Sequence, residues 1–142
     1  MAEISLEELT DRAKIGDPVA QYDLGVRYQR GDGVKQDIKR AVKWWEKSAE
    51  RDYAPALYNL GVAYEQGIGA RKNASKAIAY YEKAAEGRFA PAEYNLGVIY
   101  LNGELVQKDL KRALFWYNAA ASHGHKEALN AVGRLLAKVV QD

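Results

Sequence analysis

Two histidines, His123 and His125, are the only imidazoles in the 142-residue chain, and there is no cysteine. They stand two positions apart, so they would not share a helix face, and no second cluster of ligand-type side chains lies near them in sequence. They are expected to be exposed turn residues, with no metal held. No Ser-x-x-Lys or Gly-x-Ser-x-Gly is present, so the usual serine-nucleophile motifs are missing. The pairs Gly31/Gly33 and Gly67/Gly69 lack a third glycine and a preceding strand, which fits hairpin turns better than phosphate loops. Catalysis and a cofactor are therefore not expected.

Binding chemistry is more visible. Tyr22, Tyr58 and Tyr94 recur at a fixed step of 36 residues, each followed one helical turn later by Val26, Val62 and Val98. Asp23, Asn59 and Asn95 stand beside the tyrosines and could bond a peptide backbone. Tyrosine offers large amphipathic contact area at low entropic cost. Asn130, Arg134 and Lys138 take over toward the C-terminal end and make it polar and cationic, suited to an acidic end of a ligand. The competing assignment for the tyrosines is packing against the neighbouring helix. Basic residues also recur at Lys39, Arg40, Lys76, Lys111 and Arg112, where a solvated helix face balanced by Glu and Asp is expected.

The positioning elements follow from the same step. Leu24-Gly25, Leu60-Gly61, Leu96-Gly97 and Val132-Gly133 are 36 residues apart, as are Ala20, Ala56, Ala92 and Ala128. Ala20, Leu24 and Tyr28 form one helical stripe, opened by Asp17-Pro18 and ended by Gly31, with Gly67 and Gly103 at the equivalent ends. A second helix carries Ile38, Ala41, Val42, Trp45 and Ala49 behind an Asp37 cap, matched by Asn73 and Asp109. Three helix hairpins result, at 17–52, 53–88 and 89–124. Glycine and alanine permit close helix approach, and Trp45, Tyr81 and Tyr117 are expected to fill the space between successive hairpins. Residues 1–16 should hold a lone second helix, opened by Ser5 with Glu8 as a capping box, and residues 125–142 a lone first helix. The expected fold is all-α: eight helices in a single repeat domain over 1–142, stacked as a right-handed superhelical solenoid with a concave and a convex side.

Composition agrees with this picture. Hydrophobic residues are 48% and charged residues 28%, and no apolar run could span a bilayer. A formal charge of +2 is too small to suggest nucleic acid or a membrane surface as partner. Residues 1–7 lack a basic patch followed by an apolar stretch, so no signal peptide is read and a cytoplasmic location is expected. A leader removed beforehand would leave the same sequence and a periplasmic or secreted location. A monomer is expected.

The pattern Ala-x3-Leu-Gly-x2-Tyr-x2-Gly-x-Gly, followed by Ala-x3-Trp/Tyr-x3-Ala, resembles the Sel-one-like repeat, a relative of the tetratricopeptide repeat with a longer loop. Leu105 departs from the second loop glycine, and Asp52 and Arg88 stand where Gly16 and Gly124 recur. The resemblance implies an adaptor in bacterial or eukaryotic signalling or in protein assembly: a non-catalytic scaffold taking a peptide or partner protein in its concave groove, which in such stacks the first helices line. It also leaves open an immunity or inhibitor protein that blocks a toxin or enzyme, as some small members do. Some members carry β-lactamase labels, and against a hydrolase stands the missing nucleophile motif.

Overall fold

In the computed structural model, residues 4–141 are described. They form eight helices and no strand: α1 (Leu6–Lys14), α2 (Pro18–Arg30), α3 (Ile38–Ala49), α4 (Ala54–Gln66), α5 (Ala74–Glu86), α6 (Ala90–Asn102), α7 (Leu110–Ser122) and α8 (Lys126–Gln141). The hairpins expected from the spacing are α2–α3, α4–α5 and α6–α7, with α1 and α8 as the lone helices.

The helix ends obey the capping chemistry of their sequences. Asp17 accepts from the Val19 and Ala20 amides at 2.9 and 3.3 Å, and Pro18 follows at the first helical position. Asp37, Asn73 and Asp109 accept from the amides of Arg40, Lys76 and Arg112 at 3.0 to 3.1 Å. Ser5 accepts from the Glu8 amide, while the Glu8 carboxylate is drawn to Arg12 at 2.7 Å. Gly31, Gly67 and Gly103 close the first helices at φ of 77°, 72° and 70°. Beyond each of them the chain folds back through one recurring backbone bond. The amides of Asp37, Asn73 and Asp109 donate to the carbonyls of Tyr28, Tyr64 and Tyr100 at 2.8 to 2.9 Å.

The turn after each second helix needs one left-handed residue. Gly16 and Gly124 supply it, and Asp52 and Arg88 adopt it as well, at φ of 56° and 59°. The two departures from glycine thus keep the turn and carry the strain of a β-carbon. Leu105 stays outside that region, so the third loop takes its own path there.

Two compact units divide the chain, one up to Tyr80 and one from Tyr81 on. In the first, Leu9 and Ala13 of α1 pack with Ala20 and Leu24 of α2. The Gln21 amide nitrogen reaches the Ala13 carbonyl at 3.1 Å, and the Ser48 hydroxyl donates to the Pro18 carbonyl at 2.7 Å, tying α3 to the start of α2. Trp45 turns its ring onto Gly25: a β-carbon there would stand 2.6 Å from the indole Cδ1. In the second unit Ala113, Tyr117, Ala120, Ala128, Ala131 and Leu135 form the core. Tyr117 lies on Gly97 in the same manner, 2.7 Å from where a β-carbon would sit. Trp45 and Tyr117 therefore fill first the notch in their own hairpin, rather than only the space between hairpins. Their large rings need a helix surface without a β-carbon, and the glycine of the partner helix provides it.

Candidate functional site

Helix α4 brings Tyr58, Asn59 and Val62 onto one face, because positions three and four apart share a side of a helix. Together with Gln29, Ile38 and Trp45 they line a cleft of about 260 Å³, with half-exposed Ile68 at its rim. Most of its wall is apolar, and the carboxamides of Asn59, Gln29 and Gln66 supply donors and acceptors.

One repeat earlier the same positions of α2 form a related cleft. Asp23, Val26, Arg27 and Arg30 line about 430 Å³ with Ile4 and Leu9. Residue by residue, Asp23 stands for Asn59, Val26 for Val62, and Leu9 for Trp45. This cleft is charged where the α4 cleft is neutral. Burial pushes the Asp23 carboxyl above its ordinary range, Arg27 pulls it back, and Asp17 adds to the upward push. Tyr22 lies apart from this cleft's lining, with its ring edge-on to Tyr53 at 5.5 Å.

In the second unit Tyr94 is stacked on His125 at 4.4 Å and tilted against Tyr117 at 5.5 Å. Val98 is half-buried against the same core, and Asn95 is half-buried on the same helix. Asn130, Arg134 and Lys138 are exposed on α8. Burial raises the Tyr117 phenol, Tyr94 adds to this, and Arg134 is near enough to oppose it. Tyr58 borders a cleft, and Tyr22 and Tyr94 each face another aromatic ring.

Both histidines lie in the α7–α8 turn, as expected, with His123 exposed and His125 half-buried, and each also holds a neighbouring group. His123 Nδ1 lies 2.6 Å from Oε1 of Glu93, a carboxylate only 3% exposed. A carboxylate this buried needs a hydrogen-bonding partner, and the turn delivers one. His125 Nδ1 accepts from the Ala128 amide at 3.1 Å and so caps α8. Among the described residues no group of three or more His, Cys, Asp or Glu side chains is placed to hold a metal ion, and no helix is long and apolar enough to cross a membrane.

Sequence reasoning did not anticipate Trp45, Gln29 and Ile38 as walls of the α4 cleft. It also treated the recurring cations as solvated. They are exposed, yet Arg40 lies over the Tyr28 ring at 5.6 Å, Lys76 over Tyr64 at 4.8 Å and Arg112 over Tyr100 at 5.4 Å. The signal was available: each cation follows its tyrosine by the same interval in every repeat.

Comparison with known proteins agrees with this architecture. Residues 18–53, 54–88 and 90–125 match the Sel1 repeat model. A Sel1 repeat protein from Oxalobacter formigenes is 41% identical, with a TM-score of 0.80 over 87% of this chain and 48% of its own. A protective antigen present in uropathogenic Escherichia coli strains, displaying an SLR fold, is 34% identical, with a TM-score of 0.89 over 93% of this chain and 28% of its own. A putative sel1-like repeat-containing protein of Acanthamoeba polyphaga mimivirus is 50% identical over 40 residues, 28% of this chain and 7% of that protein. The chain thus spans about half or less of these relatives. With its three matched repeats covering most of its length, the chain belongs to the Sel1 repeat family.

Proposed function

We propose that the protein is a protein-interaction scaffold that takes a peptide or partner domain along the first helices of its hairpins, with the Tyr58–Asn59–Val62 cleft as the main contact. Sel1 repeat proteins are generally interaction scaffolds rather than enzymes. The observation that carries the reading is the cleft itself. It joins an aromatic wall from Tyr58 and Trp45 to the Asn59 carboxamide, a pairing suited to an extended backbone with an apolar side chain. Its charged counterpart at Asp23 and Val26 supports a repeated contact with different side-chain preference. Tyr22 in the first unit, and Tyr94, Asn95, Val98, Asn130, Arg134 and Lys138 in the second, are further contact residues of this proposal.

The test is affinity capture from lysate of the source cells with wild type and with Tyr58→Ala/Asn59→Ala, read by mass spectrometry. Circular dichroism first checks that the variant keeps its helices. A partner bound through this cleft should lose roughly tenfold or more in affinity, since an interface aromatic near the centre of a contact is commonly worth about 2 kcal/mol. Unchanged capture by the folded variant would remove the cleft from the contact.

A further inference from the structure

Each hairpin carries an open cleft beside its loop, where the tyrosine of the first helix meets the cation of the second. The three clefts share the tyrosine, the cap residue and the cation that follows it, but differ in their other walls and in charge. Around Tyr28 stand Lys35 and Arg40 against Asp37. Around Tyr100 stand Lys111 and Arg112 against Glu82 and Asp109. The middle cleft, about 640 Å³, gathers Lys39, Lys43, Arg71, Lys72 and Lys76 against Glu46. Five cations face one carboxylate there, whereas the neighbouring clefts are close to balance.

Most of the excess comes from Lys39 and Lys43 of α3 and from Arg71 and Lys72 of the loop, and the helix cap adds to it. In the first and third hairpins the cap is an aspartate whose second oxygen approaches the arginine, Asp37 to Arg40 at 3.8 Å and Asp109 to Arg112 at 3.9 Å. In the middle hairpin the cap is Asn73, which accepts from the Lys76 amide at 3.0 Å just as well but brings no charge. The N-terminal end of α5, where the helix dipole favours an anion, is thus left without the carboxylate that its counterparts own. Val42, Ala70 and the Tyr64 ring give the cleft an apolar floor.

We infer that this middle cleft is a second binding surface, and that it takes an acidic peptide segment rich in glutamate or aspartate. Four of the five cations are lysines, compact point charges on flexible stems that suit carboxylates arriving in varied geometry. The apolar floor accommodates side-chain methylenes, which a free inorganic anion lacks. A nucleic acid would ask for a continuous cationic track along its phosphates, and here the excess charge is gathered in a single cleft.

The test is fluorescence anisotropy with a fluorescein-labelled poly-glutamate peptide. Wild type should bind at low ionic strength and release the peptide as salt rises. Asn73→Asp restores the cap found in the other hairpins and keeps the fold, yet should weaken binding about two- to fivefold, the range of a partly exposed charge contact. Lys43→Glu/Arg71→Glu should weaken it by more than about tenfold, and Arg112→Glu, in a balanced cleft, should leave it within about twofold. Equal affinity for wild type and both cleft variants would overturn the proposal. So would tighter binding of a polythymidylate of matched charge, or of phosphatidylserine vesicles, and so would displacement of the peptide by inorganic phosphate at equal charge.

Discussion

The indole of Trp45 occupies the space in which a side chain on Gly25 would begin, and it donates from Nε1 to the Tyr22 carbonyl at 3.2 Å. The glycine is therefore a seat for the ring, and the ring in turn is locked onto the backbone of α2. Gly25→Ala should destabilise by about 1–3 kcal/mol, because the added methyl drives the indole from its seat. Gly97→Ala, beneath Tyr117, should behave alike. Gly133 holds the same repeat position but has nothing within 4 Å of its missing β-carbon. Gly133→Ala should stabilise by roughly 0.5–1 kcal/mol through helix propensity alone. Thermal melts of the three variants test the sign reversal.

Arg88 sits at φ 59°, a conformation that costs a residue with a β-carbon about 1–2 kcal/mol. Arg88→Gly should raise the melting temperature by relieving that cost, less the extra chain entropy that glycine must lose. Asp52→Gly should gain less, since aspartate tolerates the left-handed region better. A fall in melting temperature for Arg88→Gly would mean that the arginine side chain contributes more than the strain removes.

Glu93 and His123 form a pair whose acid is buried. His123→Ala should cost about 1–3 kcal/mol, the penalty for a buried polar group left without its partner. The equivalent position in the preceding repeat is Leu57, a fully buried apolar residue. Glu93→Leu added to His123→Ala should therefore recover most of the loss. Chemical denaturation of the single and double variants measures both steps.

The Asp23 carboxyl is shifted upward, chiefly by burial. A folded-state value above the unfolded one means that ionised Asp23 works against folding. That penalty is complete above the raised folded-state value and disappears as pH falls below the unfolded one. Asp23→Asn should accordingly raise the melting temperature at neutral pH, by a few tenths of a kcal/mol in this partly solvated site, and leave it unchanged in strong acid. An equal effect at both pH values would assign the gain to something other than charge.

The hairpins were legible because their determinants are local. Asp17-Pro18 begins a helix, Gly31 ends one, and Ala41 opposite Gly25 announces close approach, all within one repeat. Trp45 was visible as a large ring at helical spacing, but which surface it seats on depends on how α3 crosses α2. Glu93 was hidden by its position in the first turn of α6, where acids normally face water. Its burial follows from the register of the repeat, since the equivalent Gln21 and Leu57 are buried too, and His123, thirty residues on, supplies its partner. The Tyr58 cleft was half legible. Its α4 face follows from spacing, while Gln29, Ile38 and Trp45 arrive from other helices. The cap difference at Asn73 was in plain sight, and its electrostatic meaning emerged only once Lys39, Lys43, Arg71 and Lys72 were seen to converge.

The backbone bonds from Asp37, Asn73 and Asp109 back to Tyr28, Tyr64 and Tyr100 bear on how fast the chain acquires its structure. Each closes a short loop inside one hairpin, so the entropy lost before the first tertiary contact forms is small. Proteins dominated by such short-range closures fold on timescales of roughly microseconds to milliseconds, and a repeat array can start from any competent hairpin and extend to its neighbours. A stopped-flow or temperature-jump trace should then be governed by the best-capped hairpin, and Asp37→Ala, which weakens one nucleus, should leave the others to start folding in its place.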